Sequence, residues 1–474
     1  MMKIKSFFYK NKTILVLCFL IISISLFLLL TMRPDTDYFW HIKAGEYMFK
    51  NGILRKDIFS WSLNGTYWMS HEWLFEVIIY VFKLLFGKFH LLIYGFICLV
   101  MLLMILFFAN KDNYLKNIPF TLFWLLLSLI LVVYLQGRPH LISFVFLALT
   151  MWFLYDLYCN SYSKKIYLLP IITVFWANIH GGSSNLSYLF CLIFLIFGLF
   201  SFKFSKIEAI RINKKQVLKY LLVMFLCIGS ICINPHGTKM LFYPYANMLD
   251  TVMLNNISEW QPTNLNNPQH YLYFFLLLVV LFRFIFSRKK ILFLDFILFG
   301  VCVYLGLKSI RFWGYTYIIM SFVVFNYVDK RQYDKGTNLL IFLLSLLLIF
   351  MFIFNSKIIS KNLSWHNLDE EVIDIIKSSD SKKLYNFYDY GGELIYNDVL
   401  VFIDGRADLY SNYNYQDYLN ISLLQGDYIK LLGKYDFDLF LVNTKYPINT
   451  YLKYDDNYEV LYSKKNIVLY KKID

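Results

Sequence analysis

Asp35 and Asp37 stand two residues apart in "PDTDYFWHIKAGEYMFKNG" (residues 34–52), and His41 follows Asp37 by one helical turn. Two carboxylates this close can divide their roles, because one ionised acid raises the pKa of the other. Asp35, Asp37 and His41 are therefore candidates for acid–base chemistry. The competing reading of Asp37 is an N-cap on the helix that starts there. Lys43, Glu46 and Lys50 form charge pairs on a neighbouring face. The same residue types recur in short polar motifs further along: His71 and Glu72 in "HEW", Arg138 and His140 in "GRPH", Asn178 and His180 in "WANIHGG", Asn234 and His236 in "NPHG", Glu259 in "EWQP", and Lys308 and Arg311 in "KSIR". His41, His71, Glu72, His180 and Glu259 suit support of a base or contact with an acceptor. Arg138, Lys308, Arg311 and His236 suit a lipid phosphate or pyrophosphate, through charge and, for arginine, forked hydrogen bonding. Each cation also reads as a snorkelling anchor at a membrane surface. No HExxH and no tight His/Asp spacing marks a metal site.

The elements that must position these residues are apolar helices. Of 474 residues 58% are hydrophobic and only 16% charged, with a mean hydropathy of +0.51. Eleven segments read as membrane spans: 13–32, 90–109, 118–135, 139–158, 165–180, 184–202, 217–233, 270–286, 291–307, 311–327 and 337–355. The N-terminal run reads as an uncleaved first span. A helix at about 71–86, with Glu72, Glu76 and Lys83 along one side, reads as interfacial. If it crossed the membrane instead, every later loop would change sides. The positive-inside rule decides between the two. With eleven spans the cytoplasmic segments, beginning with Lys3, Lys5, Lys10 and Lys12, are each rich in lysine or arginine. The motifs above then fall on the outer side, where they could line one cavity. The fold class expected is an α-helical polytopic membrane protein over 1–355, with a first outer loop at 33–73 and a small extracytoplasmic α/β domain at 356–474. That tail carries 14 Lys and Arg against 18 Asp and Glu, so the net charge of +14 is juxtamembrane and not a nucleic-acid footprint. In the tail, "DEEVIDIIKSS" reads as a helix; "KLYNF", "VLVFID", "FDLFLVN", "YEVLY" and "NIVLY" read as strands; "DYGGEL" and "DGRAD" read as turns. In "IDGRADLY", a tight turn with a structural ion pair is the first reading; the second is that Asp404, Arg406 and Asp408 reach over the cavity mouth. The seven cysteines all lie in or beside apolar segments and form no disulfide framework or CxxC site.

An acid just after the first span, followed by a helix in the first outer loop, resembles the GT-C superfamily of membrane glycosyltransferases. "DYFWHIKAGEYMFKNG" is similar to the corresponding loop of oligosaccharyltransferase catalytic subunits in Asp37, Phe39-Trp40, Lys43, Ala44 and Glu46-Tyr47. It also resembles protein mannosyltransferases and aminoarabinose transferases. "KDIFSWSLNG" looks like the second half of that loop, with Asp57, Trp61 and Gly65. The resemblance implies a sugar, hexosyl or pentosyl, moved with inversion from a polyprenyl-phosphate-linked donor to an extracytoplasmic glycan, lipid or protein acceptor. Asp37 would be the base; Arg138, Lys308 or Arg311 would meet the charge developing on the leaving phosphate. No organic cofactor is implied. A divalent metal stays open, since oligosaccharyltransferases use one and single-sugar members generally do not. The chain departs from oligosaccharyltransferases in lacking a WWDYG-type acceptor signature; "YDYGGE" (388–393) matches it only loosely. The implied location is the cell membrane, with the N-terminus cytoplasmic. The alternative from another class is a transporter or flippase for a lipid-linked glycan. It would use the same outer cations without a base, and would show inverted repeats or broken helices in matching halves; neither is visible.

Overall fold

The computed structural model of the protein describes residues 11–331, 335–379 and 382–473. Lys3, Lys5 and Lys10, and residues 332–334 of the loop "VDKRQYDK", lie outside them. Each apolar segment read as a span is helical at its centre, because a chain in hydrocarbon must satisfy its own backbone donors and acceptors. Six of the described helical stretches are long and apolar enough to cross a membrane: Lys12–Thr31, Trp73–Ala109, His140–Cys159, Gly181–Gly198, Pro268–Phe286 and Gly336–Phe354. The chain is a membrane protein on that count. Ile118–Tyr134 and Lys165–Ile179 are shorter apolar helices. The stretch from Trp73 breaks at Gly87, whose φ of +53° ends the helix Trp73–Phe86 before His90–Ala109 begins.

The chain divides into two compact units built from interleaved segments. The first comprises residues 1–32, 88–244 and 257–363. Its helices pack in pairs, among them Lys12–Leu28 against Lys335–Phe354, and His90–Ala109 against His140–Cys159. Leu339, Leu340, Phe350 and Phe354 stay exposed on Lys335–Phe354, as a lipid-facing helix requires. A short antiparallel hairpin, Phe202–Phe204 with Ile207–Ala209, is joined in parallel by Ile291–Leu292.

The second unit comprises residues 33–87, 245–256 and 364–474. Its four-stranded sheet runs in the order Leu384–Asn386, Leu439–Asn443, Ile467–Lys472, Tyr458–Lys464; the first pair is parallel and the others antiparallel. The helix Glu370–Ser378 forms as read, burying Val372, Ile373 and Ile376. Trp40, Ala44 and Met48 of the helix Thr36–Asn51, with Leu54, Phe59 and Trp68 after it, share one core with Leu384, Phe402, Tyr410 and Leu441.

Two local expectations fail in this unit. "VLVFID" is not a strand of the sheet. Its backbone is taken by Asn386, whose side chain accepts from Phe402 N (2.8 Å) and donates to Ile403 O (2.7 Å). Val401 bridges the loop after the helix Thr36–Asn51 instead, exchanging bonds with Phe59 and Trp61. "DYGGEL" is not a turn but a 3-10 segment, Tyr388–Tyr390, running into the helix Gly391–Tyr396. Its two glycines are needed for close approach. A Cβ on Gly392 would overlap the Thr36 carbonyl, and one on Gly391 the Ile403 carbonyl.

Candidate functional site

In the second unit, Asp35 is the N-cap of the helix Thr36–Asn51: its Oδ1 accepts from Tyr38 N at 2.9 Å. Asp37 is therefore not the cap. It sits in the first turn, where the helix dipole favours an anion. One turn on, His41 is buried. Its Nδ1 lies 3.3 Å from Glu76 Oε1 and its Nε2 3.5 Å from Glu72 Oε2. Glu76 also accepts from Ser70 Oγ at 2.9 Å. His71 Nε2 lies 3.2 Å from Glu72 Oε1, and its Nδ1 3.9 Å from Asp408 Oδ2. Burial alone would lower the His41 pKa, but Glu76, Glu72 and Asp37 outweigh it and hold the imidazole above its ordinary value. Burial pulls His71 the same way and loses to Glu72, Asp408 and Glu76, so it too is raised. Lys43 pairs with Glu46 (3.5 Å) and Asp398 (2.5 Å), and Lys50 with Glu46 (2.6 Å), on the neighbouring face read from sequence.

The Asp37 carboxylate lies against Gly405 so closely that a Cβ there would overlap it. Gly405 is held by its neighbours. Arg406, fully buried, donates Nε and Nη2 to Asp404 at 2.8 and 2.7 Å and Nη1 to Asp57 at 2.6 Å. Tyr410 OH adds a bond to Asp404 at 2.6 Å, and the guanidinium lies over the Trp68 ring at 4.8 Å. Asp57 accepts in turn from Phe59 N and Ser60 N, both at 3.1 Å. "DGRAD" is thus a structural ion pair, extended by a second carboxylate from the first loop.

In the first unit, three of the remaining candidates meet. Arg138 Nη1 lies 3.2 Å from Glu259 Oε1, and Arg311 Nη1 4.0 Å from Glu259 Oε2. The Arg311 guanidinium lies 4.9 Å from the centre of the Trp260 ring. Glu259 therefore lies with these two cations. His180 Nδ1 is within 2.7 Å of Ser143 Oγ and 3.0 Å of Ser183 Oγ, and its ring meets His140 edge-on at 4.9 Å. His236 is buried at the turn "NPHG", its N–H bonded to Asn234 Oδ1. Lys308 is exposed at the end of its helix.

The sequence reading missed Glu76 as a site residue, although it follows Glu72 by one turn on the same helical face. It also left Gly405 outside the site; no local signal ties it to residue 37. Among the described residues no three His, Cys, Asp or Glu side chains are grouped to hold one metal ion. Glu72 and Glu76 are engaged by imidazole nitrogens and a hydroxyl instead.

No family model matches the sequence, and no match is found among curated proteins. Solved structures do match. The archaeal oligosaccharyltransferase AglB from Archaeoglobus fulgidus, in complex with an inhibitory peptide and a dolichol-phosphate, is 12% identical, covers 98% of this chain and 74% of its own, and superposes with a TM-score of 0.53. The apo crystal structure of the A. fulgidus oligosaccharyltransferase is 11% identical over 93% of this chain and 70% of its own, with a TM-score of 0.47. The likeness to AglB extends over nearly the whole chain, through both the apolar helices and the sheet-bearing unit. The chain shares its fold with the archaeal oligosaccharyltransferase AglB.

Proposed function

We propose that the protein is a membrane glycosyltransferase that moves a sugar from a polyprenyl-phosphate-linked donor to an extracytoplasmic acceptor, with inversion at the anomeric carbon. The observation that carries this reading is the Asp37 carboxylate, set in the first turn of its helix and backed by the buried His41–Glu72–Glu76 cluster. The GT-C-like fold supports it, and the AglB structure of that fold was solved with a dolichol-phosphate and a peptide. Asp37 takes the proton of the acceptor hydroxyl as its oxygen attacks the anomeric carbon. The bond to the phosphate oxygen breaks, and polyprenyl phosphate leaves with the electron pair. Arg138, Arg311, Lys308 and His236 take the donor phosphate. Two guanidiniums already sharing one carboxylate, Glu259, are placed to bind an oxyanion. Asp35 sets the helix entrance, and His71, His180 and Glu259 support the two groups. Eleven spans, an interfacial helix at 71–86, a cytoplasmic N-terminus and an extracytoplasmic 356–474 complete the reading, with a hexosyl or pentosyl donor.

The test is Asp37→Asn against wild type, reconstituted with labelled polyprenyl-phosphate sugars, reading release of polyprenyl phosphate. Release by wild type and a loss of about 100-fold or more in the variant is expected of a general base. Equal release by both removes Asp37 from the mechanism. Tight lipid binding with no release by either favours a flippase.

A further inference from the structure

The stretch "SFKFSKIEAIRINKK" (residues 201–215) mixes aromatic and basic residues and is too polar to cross a membrane. It forms the hairpin of Phe202–Phe204 with Ile207–Ala209, and the fold fastens that hairpin to the ends of two long apolar helices. Ile212 N donates to Gly198 O at 2.8 Å, where the stretch Gly181–Gly198 ends. Ile291 N donates to Lys206 O at 2.8 Å, and Lys206 Nζ to Ile285 O at 2.5 Å, at the end of Pro268–Phe286. Phe293 closes the joint, its ring 5.0 Å from that of Phe202 and 5.7 Å from that of Phe200. The two helical stretches have 18 and 19 residues. At 1.5 Å per residue each is about 27–29 Å long, no longer than the ~30 Å hydrocarbon core it crosses. Their ends, and the sheet tied to them, therefore lie where acyl chains meet headgroups.

Two kinds of side chain stay exposed on this sheet. Phe204 is 73% exposed and Ile210 52%, and Ile285 and Phe286 of the adjoining helix end are exposed as well. Lys203 and Arg211 of the hairpin, and Arg288 and Lys290 before the strand Ile291–Leu292, are the exposed cations. The parallel pairing of Ile207 with Ile291 brings these two groups together from distant sequence. Residues 202–211 and 287–292 hold six cations and one acid, Glu208. Charges that only fix the orientation of a loop need no exposed aromatic neighbours. Rings and aliphatic groups beside cations are what an anionic headgroup layer takes, since the apolar groups enter the boundary and each cation meets a lipid phosphate. We propose that this sheet is a docking site for anionic membrane lipid, with Phe204 and Ile210 set below the headgroups and Lys203, Arg211, Arg288 and Lys290 on their phosphates. The arginine fork suits a phosphate in particular. This site is independent of the chemistry at Asp37.

Two measurements on the full chain test this. The first is the thermal unfolding midpoint in lipid nanodiscs of phosphatidylcholine, with and without phosphatidylglycerol. Phosphatidylglycerol should raise the wild-type midpoint by several degrees, and by less at high salt. The variant Lys203→Gln/Arg211→Gln/Arg288→Gln/Lys290→Gln should lose most of that rise. A control that removes as much exposed charge from the second unit, Lys377→Gln/Lys430→Gln/Lys453→Gln/Lys465→Gln, should keep it. No rise in wild type, or the same rise in both variants, overturns the proposal. The second measurement changes one exposed side chain and does not depend on the fourfold variant: Phe204→p-benzoylphenylalanine, photolysed in native membranes. Lipid adducts richer in anionic headgroups than the surrounding bilayer are expected. Adducts that match the bulk lipid, or no adduct, overturn the site; an adduct with a second polypeptide makes the sheet a protein interface instead.

Discussion

At the scale of single residues, the site stands on buried charges whose partners come from distant sequence. Arg406 with Asp57 and Asp404 is the sharpest case, because all three side chains are fully buried. Removing the arginine leaves two buried carboxylates with no cation between them. Arg406→Ala should therefore cost about 3–5 kcal/mol, several times the ordinary loss of a surface pair. Thermal unfolding in nanodiscs checks it: a midpoint within a degree of wild type would contradict a buried, essential pair. Arg406→Lys should not rescue, since an ammonium cannot meet two carboxylates in the fork that Nε, Nη1 and Nη2 now fill. Of this network the sequence showed Asp404 and Arg406 as an ion pair two residues apart. It did not show Asp57, which is 349 residues away.

At the scale of elements, glycines decide how near the helices come. Gly45 lets the helix Thr36–Asn51 rest on Trp73–Phe86; a Cβ there would overlap the Glu76 carbonyl and approach Tyr80 Cβ to 3.1 Å. Alanine in place of a helical glycine gains about 1 kcal/mol in propensity. The clash is with a backbone carbonyl, which cannot rotate aside, so overpacking at about 1–3 kcal/mol wins. Gly45→Ala should lower the unfolding midpoint and pull Glu76 from His41. Gly433→Ala, in the helix Tyr428–Tyr435 with open space around it, should leave the midpoint unchanged or raise it. If both behave alike, Gly45 is not a packing contact. Helical periodicity placed the helix Thr36–Asn51, the charge pairs Lys43–Glu46–Lys50 and the helix Glu370–Ser378. It failed at "VLVFID" and "DYGGEL", where a side chain (Asn386) and a neighbouring helix, not the local pattern, satisfy the backbone.

At the scale of the whole molecule, the reading places 356–474 outside and the "SYSKK" loop inside. Tyr413 and Lys164 are both exposed, so a cysteine at either reports its side. With the exposed Cys159 first changed to serine, Tyr413→Cys should react with a membrane-impermeant maleimide on intact cells, and Lys164→Cys only after permeabilisation. The reverse pattern would mean that Trp73–Phe86 crosses the membrane and the positive-inside assignment is wrong.

What the sequence determined by itself is what depends on neighbours along the chain. Long apolar runs must be helices in lipid, a regular polar pattern marks amphipathic helices, and an acid after the first span with a histidine one turn on marks a candidate base. Tertiary structure alone decided which acids meet which bases. Glu76 reached His41, Asp408 reached His71, and Glu259 joined Arg138 and Arg311. The reason is physical. Helical hydrogen bonds and hydropathy act over a few residues, whereas the pairing of buried charges is set by desolvation. That cost is met by whichever partner the completed fold brings within reach, and sequence distance has no part in it.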